Sequence, residues 1–277
     1  MIDRRANLSV EAFLEEYAYP CKPVILQGLT DHWTARKWTV DMFAERYYHV
    51  EVEVSRNDSP YLGWTQMKLG DYIRDIRKPQ VGRPYYLSSW YFRIDCPELL
   101  NDFSVPPHFS DDWFGLLDAQ YQPPLMWLFI GPPGAGSWLH IDIGLTSAWN
   151  VQITGRKRWI LFPPDQSRLL YGGQVDGFNP DLEKFPDFAR TSPIDCVVEP
   201  GEVIFTPTLW WHQTSSLEEG IALTANYAND TNHPHVLNWL KANRRWVRER
   251  GNPRLVEMFE AIARERAVRG MEPVRMS

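Results

Sequence analysis

The sequence predicts a mainly β protein, a sandwich or barrel of short strands with helices before and after it. Two observations carry this. Seven short apolar runs follow one another through the middle of the chain, at 125–130, 138–143, 148–154, 158–162, 197–199, 203–206 and 221–227. Glycine and proline punctuate them, as in Gly131-Pro132-Pro133-Gly134, Pro163-Pro164 and Pro200-Gly201, and short strands between turn residues are the pattern of a sandwich or barrel. The 13 Trp, 12 Tyr and 13 Phe add mild support, because aromatic side chains suit strands and line concave pockets.

The flanks read differently. Ser9 is placed to cap a short helix that carries Phe13 and Tyr17 on one face, with Glu11 in its first turn, and Pro20 ends it. Pro23-Val24-Ile25-Leu26 reads as a buried strand closed by Gly28. Thr39 is the expected cap of a helix with Met42, Phe43 and Tyr47. Residues 50–54 alternate Val and Glu, the pattern of a half-buried strand. Residues 67–76 read as helical despite Gly70. Residues 163–193 have no clear period and form a long insertion between strands, either functional or plain decoration. Beyond the strands, Asn232 and Pro234 start a helix with Val236, Trp239, Leu240 and Val247 at helical spacing. Asn252-Pro253 repeats the signal before Leu255, Phe259 and Ile262. Apolar faces this clear must be buried, on the barrel or on a second subunit.

Composition narrows the class. A chain of 277 residues with 44% hydrophobic residues can bury a substantial core as one domain. Cys21, Cys96 and Cys196 are far apart and show neither zinc nor redox spacing, and a sparse odd count fits a reducing compartment. The first residues carry charge and lack an apolar core segment, unlike a signal peptide. No run of 18 apolar residues occurs, so no membrane span is expected and the default location is cytoplasmic. A net charge of −6 argues against general nucleic-acid binding. The charge is uneven: residues 241–277 carry 10 Lys/Arg and 5 Asp/Glu, while the remaining 240 residues balance to −11. The basic end is either a solvated face or a partner-binding surface.

The first candidate for chemistry is His140-Ile141-Asp142. On a strand, residues i and i+2 share a face, so an imidazole nitrogen and a carboxylate would meet one metal. Two histidines and one carboxylate on one face of an octahedron mark non-haem Fe(II) oxygenases. Alone the signal is weak: with 7 His and 18 Asp in the chain, chance supplies roughly 0.4 such triplets, so the match needs context. The candidate third ligand is His212, just beyond the apparent end of a strand and behind Trp210 and Trp211; alone it reads more readily as a histidine in an aromatic core than as a ligand. Polar residues on otherwise buried strands are the second signal. Asn150, Gln152 and Thr154 share one face, and Thr224 and Asn226 another. Such rows face water in most strands, but line the interior of a barrel that binds a small polar molecule. Lys157, between Arg156 and Arg158, brings one of three cations near a ligand carboxylate.

The segment 131–164, GPPGAGSWLHIDIGLTSAWNVQITGRKRWILFPP, resembles the core of JmjC-domain hydroxylases, the jumonji branch of the cupin superfamily. The run PGEVIFTPTLWWHQTSSLEEGIALTANYAND resembles the second half of that core. YYLSSWYFRIDCPELLNDFSVPPHFSDDWF resembles the segment leading into it in the lysyl hydroxylases, and KPVILQGLTDHWTARKW resembles the family's N-terminal region. The likeness runs from about Ser9 to about Trp239. It implies a double-stranded β-helix, an eight-stranded jelly roll, over residues 1–231, with residues 232–277 a helical extension that caps it or dimerises. His140, Asp142 and His212 match the iron ligands. Lys157 matches the lysine that pairs the distal carboxylate of 2-oxoglutarate. Asn150 and Thr224 match residues lining the cosubstrate pocket, and Ser137 stands where a threonine often bonds the cosubstrate. Tyr86 or its neighbour Tyr85 matches a pocket tyrosine, and Asn226 lies close enough to touch substrate. The implied cofactor is Fe(II), with 2-oxoglutarate and O2 as cosubstrates.

Three functions follow from these residues. The first is hydroxylation of a protein side chain, lysine leading, with demethylation as a variant, because hydroxylating an N-methyl group releases formaldehyde. The second is an oxygenase acting on a small molecule or an RNA base. The third is a non-catalytic cupin binding module, against which the complete set of His140, Asp142, His212 and Lys157 argues.

Overall fold

A computed structural model describes residues 1–56, 63–79, 81–249 and 254–268. Its strands are β1 (Asp3–Ala6), β2 (Val24–Gln27), β3 (Glu51–Val54), β4 (Thr65–Lys68), β5 (Leu87–Trp90), β6 (Met126–Gly131), β7 (Ser147–Thr154), β8 (Lys157–Phe162), β9 (Ile194–Val198), β10 (Val203–Thr206), β11 (Trp211–Ser216) and β12 (Gly220–Tyr227). Helices are α1 (Val10–Phe13), α2 (Val40–Arg46), α3 (Leu69–Ile76), α4 (Phe92–Asp95), α5 (His233–Ala242), α6 (Arg244–Glu249) and α7 (Leu255–Val268). One sheet runs β1-β2-β10-β7-β12-β6-β5, a second runs β11-β8-β9, and β3 pairs with β4 alone. The two larger sheets are those of a jelly roll, as expected.

Period-2 alternation explains how the sheets enclose a polar interior. On β7, Trp149, Val151 and Ile153 join the large core with Phe13, Trp33, Phe43 and Tyr72 from the N-terminal elements. On β12, Ile221, Leu223 and Tyr227 do the same, as do Leu128 and Ile130 on β6. The residues between them, Asn150, Thr224, Asn226, Trp127 and Phe129, face the opposite side and line a cavity. The apolar face of the large sheet is therefore the outer one, covered by helices, and the polar rows point inward. Below the cavity a smaller apolar cluster of Ile25, Ile204, Trp159, Leu161 and Val198 closes the space between the sheets.

The expected caps are present. Ser9 accepts from the Ala12 N–H and Thr39 from the Met42 N–H. Residues 67–68 depart from the reading: Met67 and Lys68 end strand β4 and the helix begins at Leu69. Gly70 fits there because a Cβ would meet the Tyr48 ring at 1.9 Å, so the glycine allows a close packing that overrides its poor helix propensity. The insertion 163–193 is a cover. Leu170, Val175, Phe185 and Phe188 pack on Ile160 and Phe162, the outward side chains of β8.

The C-terminal helices are covered within the chain. Val236, Leu240, Val247, Leu255, Val256 and Phe259 pack with Trp113, Phe114, Leu117 and Ala228 in one cluster, with Trp239 and Ile262 partly buried against it. Asn232 stands at the N-cap of α5 as expected, but its side chain makes no bond to the helix; its buried amide instead donates to Ser147 Oγ and the Tyr227 carbonyl. The Asn252-Pro253 start signal lies outside the described residues. Several cations of this basic end are paired: Lys241 with Glu260, Arg244 with Glu257, Arg245 with Glu249, and Arg266 with Asp111 and Asp230. No helix among the described residues is long and apolar enough to cross a membrane.

Candidate metal centre

His140, Asp142 and His212 come together at one end of the cavity, each offering a ligand atom within 4.8 Å of the others. Asp142 Oδ1 lies 4.0 Å from His140 Nε2 and 3.9 Å from His212 Nε2. The backbone that delivers them differs from the expected strand. Residues 138–143 form no regular strand. His140 makes a single antiparallel bridge to His212, and Asp142 stands at the start of a 3-10 turn, Ile143–Leu145, with φ −58° and ψ 146°. Asp142 therefore reaches the metal position from a turn, which frees it from the pleat that would govern an i, i+2 pair. His212, in turn, is inside strand β11 and not beyond a strand end. The run Trp211–Ser216 lacks the apolar density of the other strands, so its strand character was hidden.

Both imidazoles are oriented by their own backbone. His140 Nδ1 meets the Trp138 carbonyl at 2.6 Å and His212 Nδ1 meets the Trp210 carbonyl at 3.2 Å. A carbonyl only accepts, so each Nδ1 carries the proton and each Nε2 presents a lone pair to the site. Burial, with His140 beside it, pushes the His212 pKa down to about 4, which keeps that imidazole neutral at pH 7. The Trp159 indole stacks on His212 at 5.6 Å between centroids and 24° between planes. Neutral imidazoles plus a carboxylate are the donor set for a divalent first-row metal.

The cavity beside this triad has a volume of about 410 Å3 and is lined by every residue expected at the site, Tyr86, Ser137, Asn150, Lys157, Thr224 and Asn226. Lys157 is 3% exposed, and its ammonium donates to Tyr86 Oη at 3.1 Å. The rings of Tyr86 and Phe129 lie against the same ammonium, at 5.7 and 5.4 Å. Burial alone pushes the Lys157 pKa down to about 7. Of the two tyrosines left open by the motif, Tyr86 is the one in the cavity; Tyr85 packs outside it under Arg56. Asn150 and Thr224 are direct cross-strand partners on β7 and β12. Thr224 Oγ1 donates to the Trp149 carbonyl, whereas Asn150 Oδ1 is buried with no partner among the described residues. A buried lysine beside three metal donors fits a small polar cosubstrate carrying a carboxylate.

Sequence reasoning missed other lining residues. Thr214 accepts from the Ser137 N–H at 2.9 Å and ties that segment to β11. Trp127 and Phe129 alternate with Leu128 and Ile130, a signal that was readable in β6. Trp64, 53% exposed, and Tyr91 stand at the mouth, with no motif to announce them. Asn226 lines the cavity, but its amide donates to Thr146 Oγ1 at 2.8 Å, so its first attachment is to the turn that follows Asp142.

Fold and site together define a jelly-roll protein with a His-Asp-His triad placed where it could hold a metal, the JmjC class of the cupins. The profile of the family described as cupin-like domain matches residues 10–233, and the chain belongs to that family. It is similar to "Lysine-specific demethylase JMJ21" of Arabidopsis thaliana, with 38% identity over 249 residues, 85% of this chain and 26% of that protein. "Bifunctional arginine demethylase and lysyl-hydroxylase psr-1" of Caenorhabditis elegans is 33% identical over 283 residues, 93% of this chain and 70% of that protein. "2-oxoglutarate and iron-dependent oxygenase JMJD4" of Gallus gallus is 27% identical over 259 residues, 83% and 60% of the two chains. This chain thus spans about a quarter of the length of the first of these relatives.

Proposed function

We propose that this protein is an Fe(II)- and 2-oxoglutarate-dependent oxygenase that hydroxylates a C–H bond on a protein side chain, lysine being the first candidate. The observation that carries the reading is the convergence of two Nε2 atoms and the Asp142 carboxylate beside buried Lys157. His140, Asp142 and His212 would hold the iron and leave the remaining positions open. When bound, Fe(II) with 2-oxoglutarate and O2 supplies the oxidation that places one oxygen atom in a C–H bond as 2-oxoglutarate becomes succinate and CO2.

The chain's own part is binding, orientation and exclusion of water. The Lys157 ammonium and Tyr86 hydroxyl would hold the distal carboxylate of the cosubstrate as a charge-assisted pair. The Asn150 amide N–H and the Ser137 hydroxyl would donate to its oxygens, Thr224 would line the pocket beside Asn150, and Phe129 and Trp159 would keep the surroundings dry. A cationic side chain suits the mouth, where Trp64, Tyr91 and Trp127 offer aromatic faces. The balance of −11 over the first 240 residues would steer such a partner toward the protein. The three cysteines are unpaired, in keeping with a reducing, cytoplasmic setting.

The test is incubation with Fe(II), 2-oxoglutarate and two panels, one of Lys- and Arg-containing peptides, some N-methylated, and one of free metabolites. Mass spectrometry reads a gain of one oxygen for hydroxylation and loss of a methylene for demethylation. The reading expects modified peptides; products confined to the metabolite panel would contradict it. Names of relatives that include demethylases are the reason for the methylated peptides.

A further inference from the structure

We infer that helix α5, through Trp239 and the polar bonds at its N-terminal end, is the brace that holds Asp142 in position for the metal; this rests on the metal centre read above. Asp142 hangs from a turn that lies outside the ladders of both larger sheets. Gly144 and Leu145 in that turn both have positive φ, 68° and 55°, a conformation that a leucine rarely adopts unless its surroundings impose it. The Leu145 N–H donates to the Asp142 carbonyl at 3.1 Å, closing the turn on the ligand itself.

The restraints on this turn come from two sides. From within the barrel, Thr208 Oγ1 donates to the Leu145 carbonyl at 2.6 Å, and Asn226 holds Thr146. From the C-terminal side, α5 lies across the turn. A Cβ on Gly144 would stand 3.9 Å from Trp239 Cε3, so the indole lies within one methyl group's reach of the glycine in the turn. The N-terminal end of the same helix is fixed to the same strand start: Asn232, fully buried, donates to Ser147 Oγ at 2.9 Å, and that oxygen also accepts the Thr208 N–H at 3.1 Å. Thr208, Ser147, Asn232 and Trp239 therefore enclose the turn that carries Asp142. Residues 232–242 belong to the metal centre's scaffold, and Trp239 is a positioning residue.

The experiment titrates Co(II) into the metal-free full chain and follows its ligand-field absorption. Trp239→Ala is compared with Phe259→Ala, which opens the same C-terminal cluster without touching the turn. The brace predicts that Trp239→Ala weakens Co(II) binding about tenfold, the usual cost of losing a group that orients a ligand, and changes the Co(II) spectrum. Trp239→Phe restores both, and Phe259→Ala lowers Tm while leaving affinity and spectrum at wild-type values. If Trp239→Ala does not fold, Trp239→Leu keeps an apolar side chain in the cluster while removing the indole from the turn, and is expected to act in the same direction. Co(II) affinity and spectrum unchanged from wild type in the folded variant, or lost equally in Phe259→Ala, would overturn the brace. Wild-type protein that took up no Co(II) would instead overturn the metal reading, and the brace with it.

Discussion

His140 and His212 face each other across a single antiparallel bridge in which each N–H donates to the other's carbonyl, at 3.0 and 2.9 Å, and their rings lie 4.3 Å apart. The bridge is the only ladder contact that residue 140 makes among the described residues. It sets the spacing of the two imidazoles through the backbone, while the Trp138 and Trp210 carbonyls set their orientation. The backbone thereby fixes the spacing of the two imidazoles, the arrangement expected of a preorganised centre.

Cosubstrate affinity should depend on Lys157 and on neither arginine beside it. Arg156 is paired with Glu218 and Arg158 with Asp195, both at the surface. Removing the buried lysine would leave a carboxylate unpaired, a loss of about 3–5 kcal/mol. Titration of 2-oxoglutarate into Lys157→Ala, Arg156→Ala and Arg158→Ala checks this; an effect of Arg158→Ala exceeding that of Lys157→Ala would move the carboxylate site elsewhere.

The same lysine makes binding pH-dependent, with a definite sign. Its pKa in the ligand-free protein is pushed down to about 7, so the free side chain loses its proton as pH rises through that value. A bound carboxylate needs the ammonium form, so binding takes up a proton above pH 7, and 2-oxoglutarate affinity should fall by up to about tenfold per pH unit there. Calorimetry in buffers of different ionisation heat would reveal the proton. By the same linkage, the unfolded chain, with an ordinary lysine, holds more protons between pH 7 and 10.5, so this group makes the ligand-free fold more stable as pH rises across that window. Affinity that stays flat from pH 7 to 8.5 would contradict the assignment.

Gly136 should tolerate no side chain. A Cβ there would lie 1.9 Å from the Thr214 carbonyl oxygen and 2.9 Å from Ser215 Cα, both backbone atoms of β11. Gly136→Ala must push apart the segment that delivers His140 and the strand that delivers His212. Overpacking of this kind costs about 1–3 kcal/mol, and the displacement should weaken metal binding as well. Thermal melts and Co(II) titration of the variant check both; wild-type values in both would show that the approach is not constrained.

Much of this was legible in the sequence because the central strands obey simple alternation. Asn150 and Thr224 stand as a pair inside the barrel, the alternative that their polar rows left open, and Lys157 points inward at the next strand. What was not legible depends on tertiary contacts. His140 and Asp142 sit on a bridge and a turn and not on a strand, since Gly144 and Leu145 take left-handed conformations, with the Leu145 carbonyl held by Thr208. Strand β11 carries His212 with few apolar residues because its outward Gln213 bonds Gly177 and Asp176 of the insertion. The apolar faces of the C-terminal helices were clear, but their partners, Trp113 and Phe114, lie over a hundred residues earlier in a segment without periodicity.

The central claim is tested most directly by succinate formation from 2-oxoglutarate, measured with purified protein in air, with and without Fe(II). The account predicts iron-dependent succinate from the wild type and none above background from His140→Ala or Asp142→Ala, with both variants retaining the wild-type circular dichroism because the two side chains face a cavity and support no core packing. Succinate formed by His140→Ala at the wild-type rate would contradict the assignment of His140, Asp142 and His212 as the metal centre.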